Sequence, residues 1–592
     1  MTETVGDFII ERLAQWGVRH VYGYSGDGIN GVMGALRRAG DRLRMIQPRH
    51  EELAAFMACG HAKYTGEPGV VVTTSGPGAI HALNGLYDAR KDHVPVVAII
   101  GQQARISMGS DYQQEVDLQS VYKDVSGYVQ TLMAPAQTRH VVDRAIRIAR
   151  AQRTVACVIV PNDLQDAPME DPPASHGATY SGMGYRPPRI VPEEADLKAA
   201  AEALNAGSRV AILAGAGVRD AVDQLLEVAD TLGAGVAKAV LAKTMIPDDE
   251  PGVTGTIGLL GTEPSSNMMR DCDTLLMVGT SFPYAEFLPP SDQARAVQID
   301  IDAANLGLRY PVEVNLQGDA RATLEALRPY LNRKADREWR DGIENQIGEW
   351  WSTIESRAAT EASPLNPQTV FWELSPRIPD DALLAADVGT ATDWYARYLK
   401  IRRGVTGSTS GGLASMGNGV PYAMAAKFNY PDRPVIAMVG DGAMQMLGNN
   451  GLITVSTHWR EWEDPRLVVL VLNNGDLNQV TWEQRVMEGD PKYETSQALP
   501  DFAYDEYARM LGLSGLRMDR HDRVGAVWDE ALAADRPVVI NAVVDANVPP
   551  LPAHMELGHI KGYMSSIFKG DPEAGREVRQ SLKALAARYL KR

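Results

Sequence analysis

The sequence predicts an α/β protein made of doubly wound parallel sheets, followed by a helical C-terminal tail. Short apolar runs such as Val435-Ile436-Ala437-Met438-Val439 and residues 467–472 end at Gly, Asp or Asn. Runs of that length and β-branched content read as parallel strands buried on both faces. Stretches of helical length and period separate them, which gives βαβ units. The polar clusters fall at the carboxyl ends of the strands, where open α/β sheets bind ligands.

A chain of 592 residues predicts three or four domains, at about 100–200 residues each. The net charge of −17 argues against a nucleic-acid partner, which requires a basic footprint. Cys59, Cys157 and Cys272 are far apart and show no C-x-x-C spacing, as expected of reduced core thiols in a cytoplasmic protein. The N-terminus lacks a secretion signal, and Val5, Phe8, Ile9, Leu13 and Trp16 trace one helical face. No apolar run approaches the ~20 residues that span a bilayer.

Residues 20–24 read as a strand leading through Ser25-Gly26-Asp27-Gly28-Ile29-Asn30-Gly31 into a helix. This G-x-G-x-x-G passes the test for a dinucleotide fingerprint, though the same glycines serve any tight strand–helix turn. Residues 43–47 form the next strand. Pro48-Arg49-His50-Glu51-Glu52 breaks it and opens a helix over 53–64, with both glutamates in the first turn, where the macrodipole favours carboxylates. A β-branched strand over 69–74 meets the turn Ser75-Gly76-Pro77-Gly78 and a helix carrying Asn84 and Asp88. His93-Val94-Pro95 precedes a strand at 96–100, and Gly109-Ser110-Asp111-Tyr112-Gln113-Gln114-Glu115 follows later.

Residues 171–191, with Pro172, Pro173, Pro187 and Pro188, form a linker. A second α/β domain contains the turns Gly215-Ala216-Gly217, Gly279-Thr280-Ser281-Phe282-Pro283-Tyr284 and Asp300-Ile301-Asp302, each after a strand. Residues 334–363, rich in charge and in Trp, read as a surface linker helix. In the last domain, a strand at 382–386 ends in Asp387-Val388-Gly389-Thr390, and the strand at 435–439 ends in Gly440-Asp441-Gly442. The strand at 467–472 ends in Asn473-Asn474. The Asp441 carboxylate, the Asn474 amide oxygen and the Asp476 backbone carbonyl are hard oxygens suited to Mg²⁺ that still carries phosphate ligands. Gly440 and Gly442 let backbone approach a diphosphate, and the helix that starts at Ala443 favours its charge.

Gly440-Asp441-Gly442, with Asn473-Asn474 closing the next strand, resembles the diphosphate–Mg²⁺ motif of the thiamine diphosphate enzymes. The turn Ser75-Gly76-Pro77-Gly78, His93-Val94-Pro95 and the loop at 109–115 resemble the pyruvate oxidase and acetolactate synthase group. Three doubly wound domains are implied: pyrimidine-binding (1–170), central FAD-type (191–335) and diphosphate-binding (364–546), with a tail at 547–592. Glu51, in its Arg-His-Glu context, is then the cofactor-activating glutamate that hydrogen-bonds the aminopyrimidine, with Gly26, Ser75 and Asn84 on the same side. Val388, Gly389 and Thr390 become a second diphosphate contact. In Gly412-Leu413-Ala414-Ser415-Met416-Gly417, Met416 is the wedge that bends the cofactor, the Ala414 carbonyl accepts from its amine, and Ser415 lies between them. Similarity to FAD-binding segments implies roles for Lys243, Thr254, Gly255, Gly279, Thr280, Ser281, Phe282, Pro283 and Asp300. Gln114, Val480 and Glu483 match substrate-facing positions. Gln113 and Gln479 stand where the family pattern has phenylalanine.

The function implied is decarboxylation of a small 2-oxo acid on thiamine diphosphate and Mg²⁺, with oxidation of the bound fragment through FAD. The alternative is an acetolactate-synthase-like carboligase, and a non-catalytic cofactor-bound scaffold is a third reading. The resemblance also implies a homodimer or homotetramer with sites between chains. The tail is then a lid, a membrane-surface element or a solvated helix.

Overall fold

Three parallel sheets, each of six strands among the described residues, form the protein. The computed structural model describes residues 3–172, 177–550 and 557–575. The first sheet holds β1 (His20–Gly23), β2 (Arg44–Ile46), β3 (Gly69–Thr73), β4 (Val96–Gln102), β5 (Tyr128–Thr131) and β6 (Val155–Pro161), in the order β2-β1-β3-β4-β6-β5. The second holds β7 (Val210–Ala214), β8 (Gly235–Lys238), β9 (Val253–Thr256), β10 (Thr274–Val278), β11 (Arg295–Asp300) and β12 (Val314–Gln317). Its order, β12-β11-β10-β7-β8-β9, is that of dinucleotide-binding folds. The third holds β13 (Leu383–Ala386), β14 (Thr406–Ser408), β15 (Val435–Gly440), β16 (Leu467–Asn473), β17 (Ser514–Met518) and β18 (Val538–Val543). Its order, β14-β13-β15-β16-β18-β17, repeats that of the first sheet.

The central strands β3, β4, β6, β7, β10 and β16 are buried at every residue, which explains their unbroken apolar runs. In each sheet the winding reverses between β1 and β3, β7 and β10, or β13 and β15, and in the first and third it turns back again where β6 and β18 insert inside the edge strands β5 and β17. A ligand crevice is expected at the carboxyl side of each reversal.

The first and third domains share a core. The helix Glu51–Thr65 and the helix Gly419–Asn429 are buried almost throughout, and such helices bury more than one face. They meet at Gly60, where a Cβ would lie 3.1 Å from the Tyr422 backbone. Phe56 packs edge-on to Tyr422, and the Tyr64 hydroxyl donates to the Leu384 carbonyl at 2.7 Å. The helix starts at Glu51, earlier than its apolar period suggests, because the His50 ring accepts from the Glu52 N–H at 3.2 Å and caps it.

One sequence expectation needs correction. The helix Glu338–Ala358 is no plain surface linker, because one stripe of it is buried. Ile343 packs into the central domain, and Trp350, Ile354 and Ala358 pack into the third. Its many charges hide that stripe in the composition. The described part of the tail, 557–575, is docked on the third domain. Tyr563, on the helix Leu557–Phe568, stacks on Trp482, and the buried Arg485 donates to both Asp571 oxygens at 2.9 and 3.0 Å. Residues 576–592 lie outside the described residues.

Gly562 has no room for a side chain, since a Cβ there would lie 2.1 Å from the Val486 carbonyl oxygen. Gly562→Ala is therefore expected to release the tail, making residues beyond 550 cleave faster in limited proteolysis while the three-sheet body keeps its melting midpoint. Equal cleavage rates would show that the tail is held elsewhere.

Candidate active site

At the reversal in the first sheet, the ends of β1 and β3 pack turn against turn. A Cβ on Gly26 would lie 2.6 Å from the Thr74 side chain, one on Gly28 2.3 Å from Ser75 Oγ, and one on Gly31 2.5 Å from Gln165. The G-x-G-x-x-G glycines thus serve close packing within the domain. That packing accounts for the motif as a tight strand–helix turn, and Gly26 offers a ligand only its backbone.

Glu51, 8% exposed, lies beside this turn. Its Oε2 is 3.0 Å from His81 Nδ1. Its Oε1 faces Gly78, where a Cβ would come within 3.1 Å of it. The His50 ring stacks on His81 with centroids 4.6 Å apart. Ser75 Oγ accepts from Gln103 Nε2 at 3.3 Å and donates to Gln114 Oε1 at 3.4 Å. Gln114 has φ +62°, an uncommon conformation for a side-chain-bearing residue, and Gln113 beside it is exposed. Asn84 Nδ2 donates to Glu52 Oε1 at 2.6 Å and to Ser415 Oγ at 2.8 Å. Asn84 therefore joins the first domain to the loop of the third.

In the third sheet, Asp441 Oδ2 accepts from the Asn474 and Gly475 N–H groups at 2.9 and 2.7 Å, and Oδ1 from Gly442 N–H at 2.9 Å. Burial nonetheless pushes the Asp441 carboxyl up to about 6. Asn474 Oδ1 accepts from Asp476 N–H at 3.0 Å. The Asp476 carboxylate points inward to Thr481, Lys492 and Asn478, which leaves its backbone carbonyl as its contribution to a cation. The donor set, a buried carboxylate and an amide oxygen at adjacent strand ends, fits a hard divalent cation. Met416 lies over Gly442, its Sδ 3.6 Å from the place of a Cβ. Gly389, at φ +87°, leaves Gln479 Cβ 3.8 Å from the place of its own Cβ. Gln479 Nε2 donates to Glu483 Oε1 at 3.1 Å, and its Oε1 is buried without a hydrogen-bond partner. Val480, on the same helix, is 52% exposed.

The loop between these two groups is held from both sides. The Asp92 carboxylate accepts from the Gly411 and Gly412 N–H groups at 2.9 and 2.5 Å and pairs with the buried Lys63, which also donates to the Thr409 carbonyl. Ser410 Oγ donates to Asp88 at 2.7 Å and accepts from Ser415 N–H at 2.9 Å. From the other side, Asp387 accepts from Gly417 and Gly419 N–H at 2.9 and 2.7 Å. Between these clamps Ala414 has φ +54°.

In the central domain, Gly215 and Gly217 of the β7 turn pack backbone to backbone on Gly279 and Thr280 of the β10 turn. Asp300, at the end of β11, is buried and accepts from Asp302 N–H at 2.9 Å. Ser281, Pro283 and Tyr284 are exposed beside the buried Phe282. Glycine turns at a switch point, an acid on the next strand and an open aromatic segment fit a dinucleotide. Lys243 does not fit that set: its buried ammonium is committed to Asp248 and to the Leu399 carbonyl, at 2.7 and 2.8 Å. Thr254 bonds Ser265 and Val236 inside the domain, and a Cβ on Gly255 would strike Thr262.

Sequence reasoning missed His81, Asp92, Lys63 and Ser410. For His81 a signal was present: on a helix it shares a face with Gly78, three residues earlier. The clamp residues act across more than three hundred positions of sequence, and no local pattern marks them.

Comparison with known proteins agrees with this architecture. Residues 3–121 match the thiamine pyrophosphate enzyme N-terminal TPP binding domain, 197–327 the central domain, and 387–542 the C-terminal TPP binding domain. The chain is 36% identical to the putative thiamine pyrophosphate-containing protein YdaP of Bacillus subtilis, over 96% of each chain. It is 33% identical to a pyruvate oxidase of Lactiplantibacillus plantarum, over 93% of this chain and 89% of that one. It is 30% identical to an acetolactate synthase of Mycobacterium avium, over 92% and 88%. The chain belongs to the thiamine pyrophosphate enzymes.

Two expected outcomes follow from the clamps and the oxygen pair. Ser410→Ala removes the acceptor for Ser415 N–H, worth about 1 kcal/mol, and should weaken thiamine diphosphate binding several-fold in a calorimetric titration; unchanged affinity would mean the loop holds its shape without that link. Asp441→Ala and Asn474→Ala should each lower Mg²⁺-dependent cofactor affinity by about tenfold or more, since even an outer-shell partner of a metal is worth that much. Unchanged affinity in both variants would place the cation elsewhere.

Proposed function

We propose that the protein decarboxylates a small 2-oxo acid, with thiamine diphosphate held by Mg²⁺ on Asp441, Asn474 and the Asp476 carbonyl, and oxidises the remaining fragment through FAD. The observation that carries this reading is the presence of two complementary switch points in domains of the same strand order. One presents a buried glutamate with one oxygen that no hydrogen bond among the described residues engages, and the other a hard-oxygen pair beneath Met416. When bound, the cofactor supplies an electron sink for the carbanion that decarboxylation leaves. Glu51 holds or moves a proton at the aminopyrimidine ring, and the Ala414 carbonyl accepts from its amine. FAD, which the glycine turns at 215–217 and 279–280 and Asp300 would hold, would supply the two-electron acceptor for that oxidation. Identity over nearly the whole chain to a protein named pyruvate oxidase supports this.

The site is proposed to form between two chains of a homodimer or homotetramer. Ile80, Ile106, Met108 and Tyr112 are exposed around the Glu51 cluster, and Met446, Val480 and Met487 on the third domain, as two faces awaiting each other would be. Among the described residues no helix is long and apolar enough to cross a membrane.

Gln479 favours the second reading, a carboligase like the acetolactate synthase relatives, because the residue beside Gly389 is not aromatic. In either reading its unpartnered Oε1 selects a substrate or acceptor with a polar group beyond the oxo acid. An amide left unsatisfied in a closed site costs roughly 1–3 kcal/mol. Anaerobic addition of a 2-oxo acid panel is expected to bleach the flavin, with kcat/KM higher for a hydroxylated or carboxylated acid than for pyruvate. The double variant Gln113→Phe/Gln479→Phe should move that ratio toward pyruvate. A flavin that stays oxidised while carbon–carbon ligation proceeds would establish the carboligase. A wild type that prefers pyruvate, with the ratio unmoved in the double variant, would remove the two glutamines from specificity.

A further inference from the structure

The strongest unassigned feature is the imidazole on Glu51. We propose that His81 is the positioning residue of the activating glutamate: it fixes which carboxylate oxygen faces the cofactor. The proposal rests on the reading of Glu51 given above.

The two oxygens of Glu51 are not equivalent. Oε2 lies 3.0 Å from His81 Nδ1. Oε1 faces Gly78, where a Cβ would lie 3.1 Å from Oε1 and 2.7 Å from Thr74 Cγ2, and among the described residues no hydrogen bond engages Oε1 while Oε2 holds one. A carboxylate accepts and does not donate, so the hydrogen bond requires the proton on His81 Nδ1. In the neutral ring Nε2 is then the bare nitrogen. The neighbouring imidazole is fixed oppositely: His50 Nδ1 accepts from Glu52 N–H at 3.2 Å, so its proton sits on Nε2. The rings stack with centroids 4.6 Å apart and planes 29° from parallel, which limits rotation of the half-exposed His81 ring about its own bond. Glu51 and His50 are the titratable groups clustered with it, one ring nitrogen or carboxylate oxygen of each of the three lying within 4.8 Å of the others, and Asn84 holds Glu52 at 2.6 Å.

Without His81, the Glu51 carboxylate can rotate about its terminal bond, a broad torsion with no staggered well to hold it. The oxygen facing Gly78 would then no longer be fixed in the orientation that proton transfer to a ring nitrogen demands. His81 acts through its contact with Glu51, so its effect is expected in the rate of proton movement and not in cofactor affinity.

The test uses the full-length protein in four forms: wild type, His81→Leu, His81→Asn and Glu51→Gln. Asparagine places an N–H donor where the Nδ1 of histidine stands; leucine does not. C2–H/D exchange of bound thiamine diphosphate should slow by about tenfold or more in His81→Leu, on the scale that misplacing a catalytic group costs. It should recover to within about threefold of wild type in His81→Asn, as the retained donor predicts. Cofactor affinity by calorimetry should stay within about twofold in both, since no phosphate or metal contact is touched. In the apoprotein, ¹⁵N-histidine spectra should show His81 protonated at Nδ1. Exchange as fast as wild type in His81→Leu, exchange in His81→Asn as slow as in His81→Leu, or an Nε2-protonated His81 would each overturn the proposal. Rapid exchange in Glu51→Gln would instead remove Glu51 from activation, and the proposal with it. Exchange lost in Glu51→Gln but as fast as wild type in His81→Leu would overturn the role of His81 alone and leave that of Glu51 standing.

Discussion

The loop from Gly411 to Gly417 depends on one kind of interaction: backbone N–H groups held by buried carboxylates. Asp92 takes two of them at one end and Asp387 two at the other. Between them Ala414 sits in the left-handed region, which costs a non-glycine residue of order 1–2 kcal/mol. Such a conformation persists only where its surroundings over-determine it. Burial pushes the Asp387 carboxyl up to about 6, opposed by the N–H donors of Gly417, Gly419 and Val388. At the other end burial pulls the Lys63 ammonium down, but Asp92 and Asp88 outweigh it and hold it above its ordinary value. The loop N–H groups thus offset part of the cost of burying Asp387.

This constraint explains why the first and third domains share one core. The clamp residues Lys63 and Asp88 lie on helices of the first domain and Asp92 caps the second of them, whereas the loop belongs to the third. Their distances hold only if the two sheets keep a fixed relation, and the buried helix pair meeting at Gly60 and Tyr422 supplies it. The same strand order in both sheets places polar turns at corresponding ends, around β1 and β3 and around β13 and β15.

Much of this was legible in the sequence, for reasons that can be named. β16 and β4 are buried on both faces, so their runs are apolar throughout. Asp441 and Asn474 stand at strand ends beside glycines, so local spacing is enough to pair them. What was hidden depends on distance along the chain. Gly26, Gly28 and Gly31 read as a nucleotide fingerprint, because only the fold reveals that Thr74, Ser75 and Gln165 fill the space beside them. Lys243 reads as part of an FAD-binding segment until Asp248 and the Leu399 carbonyl are found on its ammonium. The stripe Ile343, Trp350, Ile354 and Ala358 is present in the sequence but is outweighed by the charges around it.

The helix Asn478–Glu483 and the turn that continues it carry load on both sides. On one side lie Gln479, beside Gly389, and the exposed Val480. On the other, Trp482 meets Tyr563, Arg485 meets Asp571, and the Val486 carbonyl meets Gly562. The segment Gln484–Glu488 is a π-helical turn, so its N–H groups reach one residue further back than in an α-helix. That insertion turns Arg485 and Val486 inward to the tail while leaving Gln479 and Glu483 on the opposite side. A side chain there cannot move without either breaking the Gln479–Glu483 hydrogen bond or shifting a segment tied to a fully buried ion pair. The lining of the site and the docking of the tail are thus one mechanical unit, and the tail belongs to the architecture of the site although none of its described residues enters it.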